Sequence, residues 1–199
     1  IYWKSEEAKA ENKLVFMDCY TSWCGPCKYM TETIFPQEKA GEFFNPKFVC
    51  VKFDMEKGEG PELAKRFGVR AYPTFLILRP DGTVQHKIVG GGDLDKFIAK
   101  VEKGLNKKTS LDYQNKIYEK GKMNQKQLMT YSVVLNEAYE KDKSEKVGKE
   151  LDAVLKEKDK MKKEYWPILE RSPYGSDNFK LVLNNIGTFN KNIGKEKVD

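Results

Sequence analysis

Val15-Phe16-Met17-Asp18-Cys19-Tyr20-Thr21-Ser22-Trp23-Cys24-Gly25-Pro26-Cys27 decides how this chain reads. Its first half is apolar and rich in β-branched and aromatic neighbours, which predicts a buried strand, and Lys28 to Thr33 can continue as a helix. Pro26 suits the first turn of that helix, where its missing N–H goes unused and its fixed φ fits. Cys24 therefore falls at the helix mouth, where aligned peptide dipoles favour a thiolate, and Lys28 adds a nearby positive charge. Cys27 is turned inward by the helix. The pair reads as a redox couple: Cys24 attacks a substrate disulfide to give a mixed disulfide, and Cys27 displaces the reduced substrate. That chemistry needs no metal and no organic cofactor.

Two other readings of the CxxC pair carry less weight. Half of a zinc site would need further ligands, and although Cys19 and Cys50 are present, they form no second CxxC and the only histidine is His86. A purely structural disulfide gains little from so short a loop, because a tight cross-link constrains the unfolded chain least. Further along, Tyr72-Pro73-Thr74 can supply a second wall of the same site.

Together these residues resemble the thioredoxin superfamily. Val15 to Cys27 looks like its first core strand and active-site turn, Phe67-Gly68-Val69-Arg70-Ala71-Tyr72-Pro73-Thr74-Phe75 like the stretch that carries its cis-proline, and Val89-Gly90-Gly91-Gly92 like the glycine loop before its last helix. The resemblance covers residues 1–105. It implies an α/β thioredoxin fold, a central mixed sheet flanked by helices. It also implies a cis Pro73 and a substrate peptide pairing with the backbone of Tyr72 over Cys24, with Trp23, Gly25, Pro26 and Gly91 completing the binding surface. Asp18 occupies the place of the family's buried acid, which moves protons to and from the resolving sulfur; a raised pKa would suit that task. The alternative for Asp18 is an acid at a strand end that satisfies backbone donors. The family often places a lysine opposite this acid, but here that slot is expected to hold Cys50, with Lys52 two residues along on the same face. Cys50 and Cys19 are expected to pack as small hydrophobes.

The 199 residues can bury one large core or two modest ones. A formal charge of +6, from 36 basic and 30 acidic residues, is distributed along the length. Basic runs such as Lys156 to Lys163 are laced with acids, which points to a solvated helix face and away from nucleic acid. No apolar stretch of about 18 residues is present, so nothing spans a membrane. No signal peptide is read, and the start at Ile1 gives the expectation that a leading segment has been removed. A thioredoxin half with a lysine-rich helical tail resembles exported proteins of the bacterial envelope, so a periplasmic location is expected, with the cytoplasm as alternative. Such a location would call for an electron donor, for example a membrane reductase.

Along the chain, a helix is expected over residues 3–11, then a strand from Leu14, a helix kinked at Ile34-Phe35-Pro36 and resumed from Glu38 to Phe44, and a strand from Phe48 to Phe53. A short helix from Glu62 to Phe67 follows, then strands Thr74–Leu78 and Val84–Val89 around the Pro80-Asp81-Gly82 turn, and a helix from Leu94 to Val101. His86 reads as an exposed strand residue. Residues 106–199 form an all-α extension, with apolar stripes at Leu128, Tyr131, Leu135, Ala138 and Tyr139, at Val147, Leu151, Val154 and Leu155, and at Phe179, Val182, Leu183, Ile186 and Phe189. Turns are expected at Gly121, Asp142-Lys143 and Ser172-Pro173-Tyr174-Gly175, and a frayed end from Lys191 to Asp199. The extension is either a stabilising appendage or a partner-binding surface. Two functions follow: a thiol-disulfide oxidoreductase that reduces protein disulfides, favoured by the Gly25-Pro26 dipeptide, or a non-catalytic interaction module whose helical half holds a client.

Overall fold

The computed structural model describes residues 2–121, 123–170 and 172–198. A first helix, α1 (Tyr2–Ala10), leads into β1 (Leu14–Tyr20); α2 (Gly25–Tyr29) runs on as a π-helical turn over Met30–Ile34 and is followed by α3 (Glu38–Phe44) and β2 (Phe48–Asp54). After α4 (Gly60–Phe67) come β3 (Thr74–Leu78), β4 (Val84–Val89) and α5 (Leu94–Leu105). The strands form one mixed sheet in the order β2-β1-β3-β4, with β1 parallel to β2 and β3 antiparallel to both of its neighbours. This is the βαβ then ββα thioredoxin order expected from the sequence.

Period-two alternation sorts the strand residues onto two cores. One face carries Phe16, Phe75, Ile77 and Ile88 against Met30, Ile34, Phe44, Phe97 and Val101 of the helices. Its centre is an aromatic cluster, with Phe16 and Phe75 stacked at 5.6 Å and Phe75 edge-on to Phe97 at 4.7 Å. The other face carries Val15, Met17, Cys19, Leu76 and Leu78 with Ala8 and Leu63. Helix ends follow their chemistry: Asp93 caps α5 through Asp95 and Lys96 N–H, and Gly68 ends α4 in the left-handed region at φ 60°.

His86 departs from its expected exposure, being fully buried. Its partner across the ladder is Ile77, followed by a register irregularity at Ile77/Leu78, and the imidazole lies on the face that α5 covers. Helix α5 can come so close only because residue 104 is glycine; a Cβ there would lie 2.6 Å from the His86 ring. Nδ1 of His86 accepts the N–H of Leu111, the first residue of α6 (Leu111–Glu119), at 3.1 Å. Arg79 pairs with Asp112 at 2.6 Å. These ties carry α6 into the first compact unit, residues 1–120 with 137–139, so the grouping reaches past the expected border at residue 105.

The second compact unit comprises residues 121–136 and 140–199. It contains most of α7 (Gln125–Glu137), then α8 (Lys141–Val154), α9 (Glu157–Lys160), a 3₁₀ turn at Lys163–Tyr165, α10 (Trp166–Leu169), α11 (Asp177–Asn184), α12 (Ile186–Ile193) and α13 (Lys195–Val198). Tyr131, Leu135, Val147 and Leu151 are fully buried as expected, whereas Val154 is exposed at the end of its helix. The chain reverses at Tyr139, with φ 57°, and not at Asp142-Lys143, which lie inside α8. The third stripe is split: Asn185 interrupts the helix, Phe189 is buried against Trp166, and Leu183 and Ile186 are exposed. Lys195–Val198 is helical where fraying was expected; Asp199 lies outside the described residues.

Candidate active site

Cys24 ends the loop after β1 and caps α2. Its Sγ accepts the N–H of Cys27 at 3.1 Å, and its carbonyl accepts the N–H of Lys28 at 3.1 Å. Cys24 and Cys27 are joined in a disulfide, and both are buried. A sulfur at a helix N-cap meets backbone donors that have no partner within the helix, which favours its anionic form.

Two segments distant in sequence, Tyr72–Pro73 and Gly90–Gly92, face the Gly25-Pro26 turn of this disulfide. The Tyr72–Pro73 peptide bond is cis, and the Pro73 carbonyl accepts the N–H of Gly90 at 2.9 Å. A Cβ on Gly91 would lie 2.6 Å from Met30 Cγ and Sδ, so glycine lets the loop close onto α2; the N–H of Gly92 donates to Met30 Sδ at 3.4 Å. An open groove of about 530 Å³ results, with Gly25, Pro26 and Tyr29 on one side and Tyr72, Pro73 and Gly90 to Gly92 on the other. Trp23 adjoins it, 65% exposed, its ring edge-on to Tyr72 at 5.9 Å and its indole N–H donating to both carboxylate oxygens of Glu56 at 3.0 Å. The structure thus brings Cys24, Cys27, Gly25, Pro26, Tyr72, Pro73 and Gly91 to one place.

Asp18 is buried on β1, and its Oδ1 has no hydrogen-bond partner among the described residues. Burial pushes its carboxyl up from 3.8 to about 6, against the opposing pull of the Lys52 charge. The slot opposite Asp18 holds Lys52, a correction to the expected Cys50, whose own ladder partner is Phe16. The phase is set where Leu14 N–H donates to the Lys47 carbonyl at 3.1 Å. The Lys52 ammonium donates to Thr31 Oγ1 at 2.5 Å and lies 4.3 Å from the Tyr20 ring centre. Cys50 is exposed and not core as expected, because β2 is the edge strand and α3 leaves its helix-side face partly open. Cys19 is fully buried as expected, its thiol held far above the ordinary range by burial and then by the Asp18 charge. Sequence reading missed Glu56, Met30 and Thr31. Each acts across a long separation and carries no local signal.

A thioredoxin fold with a dithiol-disulfide pair at the N-terminus of α2, the helix that follows β1, defines a class of disulfide oxidoreductases. The thioredoxin family profile matches residues 3–103, half of the chain, and this protein belongs to that family. Thioredoxin-1 of Drosophila melanogaster is 38% identical over 94 residues, 44% of this chain and 82% of that protein. Chloroplastic thioredoxin F1 of Arabidopsis thaliana is 40% identical over 101 residues, 51% of this chain and 52% of that protein. Among solved structures, a putative disulphide-isomerase from Bacteroides thetaiotaomicron shares 43% identity over 52% of this chain and 86% of that one, with a TM-score of 0.49. The oxidised DsbD C-terminal domain of Neisseria meningitidis shares 25% over 51% of this chain and 90% of that one, with a TM-score of 0.44. The chain is a thioredoxin-like disulfide oxidoreductase. No helix among the described residues is long and apolar enough to cross a membrane.

Proposed function

We propose that the protein reduces disulfides in protein substrates by dithiol exchange, with Cys24 as the attacking and Cys27 as the resolving sulfur. The observation that carries this assignment is the hydrogen bond from Cys27 N–H to Cys24 Sγ at the start of α2, a contact that strengthens when the sulfur is anionic. The Cys24 thiolate attacks one substrate sulfur, the substrate disulfide breaks, and its other sulfur leaves as a thiolate. Cys27, deprotonated, then attacks Cys24 Sγ, forming the intramolecular disulfide and releasing the second substrate thiolate. Asp18, buried and titrating near neutrality, takes the proton that Cys27 gives up. An extended substrate lies in the groove between Pro26 and Tyr72-Pro73, its backbone on that of Tyr72 and its side chains against Trp23 and Gly91.

The Gly25-Pro26 dipeptide, like that of reducing thioredoxins, supports the reductive direction. We place the protein in the bacterial envelope, where a membrane reductase would return the electrons; the resemblance of its helical tail to those of exported proteins supports this. Insulin reduction by dithiothreitol tests the activity: the wild type accelerates it and Cys24→Ser falls to the uncatalysed rate. A Cys27→Ser variant accumulates mixed disulfides that mass spectrometry maps to Cys24. Little activity in the wild type would instead favour a non-catalytic interaction module.

A further inference from the structure

A second cavity, of about 290 Å³, opens at the β2 edge on the Phe16 face of the sheet, the face covered by α3, α5 and the π-helical turn that continues α2, and shares no lining residue with the groove beside Cys24–Cys27. Phe16, Phe35 and Phe44 form its apolar walls, and Asp18, Cys50 and Lys52 are its reactive and charged lining. The ladder pairs Phe16 with Cys50 and Asp18 with Lys52, so thiol, carboxyl and ammonium arise from adjacent positions on one face. They sit roughly 7 Å apart along the strand and about 4.8 Å across it. Two features point to an occupant. One Asp18 oxygen is buried and lacks a partner, and a buried unpaired acceptor is costly until something donates to it. Cys50 is a free, exposed cysteine on the same cavity, whereas Cys19 is fully buried and Cys24 and Cys27 are tied to each other.

We propose that Cys50 is a site of reversible mixed-disulfide formation with a small zwitterionic aminothiol of the size of free cysteine, seated in this cavity with its ammonium on Asp18 and its carboxylate on Lys52. The balanced step is thiol-disulfide exchange with the corresponding symmetrical disulfide, cystine. The Cys50 thiolate attacks one cystine sulfur, the new S–S bond forms as the old one breaks, and the departing cysteine leaves as a thiolate that takes up the proton Cys50 lost. No further oxidant is consumed, and a dithiol reverses the reaction. The walls around Cys50 push its thiol up to about 11, so the exchange is slow at neutral pH. Specificity comes from the two charges. A cation alone meets Asp18 but also the Lys52 ammonium, and an anion alone meets Lys52 but also the Asp18 carboxylate.

The test uses the oxidised full-length chain, so that Cys24 and Cys27 stay closed, incubated separately with cystine, with cystamine, which lacks the carboxylate, and with dithiodiglycolate, which lacks the ammonium. Intact mass and peptide mapping are expected to show one adduct, on Cys50 and absent from Cys50→Ala, with cystine giving about fivefold more at equilibrium than either analogue, the yield of one partly exposed ion pair. Asp18→Asn removes the advantage over dithiodiglycolate, and Lys52→Gln, at an exposed position, removes the advantage over cystamine. No adduct on Cys50 in the folded protein, equal modification of Cys19, or equal yields from the three disulfides would overturn the proposal. Because these readouts do not involve turnover, failure here leaves the reductase assignment standing, and failure of insulin reduction leaves this site untouched.

Discussion

Asp18 is a carboxyl that the fold would rather keep protonated. Its pKa rises from 3.8 to about 6 because burial penalises the charged form more than Lys52 rewards it. A group whose folded pKa is raised contributes its stability below the unfolded value and loses it as pH climbs through the folded one. Ionisation of Asp18 therefore costs nothing below pH 4 and about 3 kcal/mol above pH 6. Asp18→Asn is expected to stabilise the protein by up to about 3 kcal/mol at pH 7.5 and by little at pH 4; urea titrations at both pH values check this, and an equal gain at both would refute the assigned cause. At this scale the sequence was legible where chemistry is written locally. Cys24, Pro26 and Cys27 announce themselves by spacing, and Asp18 by its place in an apolar run. Lys52 was misplaced by two positions along β2, because strand phase is set by the Lys47–Leu14 hydrogen bond, which no composition encodes.

At the scale of elements, β4, α5 and α6 converge on His86. Burial first, and the Lys103 charge second, lower its pKa from 6.5 to about 4. The sign is opposite to that of Asp18. The unfolded chain binds this proton more readily, so stability is complete above pH 6.5 and about 3 kcal/mol is lost as pH falls to 4. Between pH 6.5 and 4 the two groups offset each other, and the wild type is expected to show a shallow pH profile. His86→Gln keeps an acceptor for the Leu111 N–H, removes the titration, and should make the protein more stable at pH 4 than at pH 7 relative to wild type. Urea midpoints across this range measure it, and an unchanged profile would sink the argument. The strands and helices of the first half were legible from periodicity. The burial of His86 was not, since a polar residue in an edge strand looks solvated until a helix from elsewhere covers it.

Across the whole molecule, the chain divides into a first unit of residues 1–120 with 137–139 and a helical second unit. A chain ending at Lys120 is expected to fold and reduce insulin at a cost of at least about 1 kcal/mol, because it gives up residues 137–139 of its own unit: buried Ala138, and Glu137, which pairs at 2.7 Å with the half-buried Lys103 side chain. Circular dichroism and the insulin assay on that fragment decide it; a fragment that does not fold would show that the sheet depends on residues past 120. The helical half was legible as helix but less so as packing. The Leu128 to Ala138 stripe is buried, whereas the Phe179 to Phe189 stripe is broken by Asn185, whose short polar side chain donates to the Leu181 carbonyl at 3.0 Å and competes with helix propagation.

The contact between residue 104 and the imidazole of residue 86 sets a rule for sequence drift. Any side chain at 104 collides with the ring, and loss of the ring without a replacement acceptor strands the amide that opens α6. Position 104 is not free to change first, and position 86 can change first only to a residue that keeps an acceptor there, so a side chain at 104 would be expected in descendants of this chain only where 86 has already given up its ring.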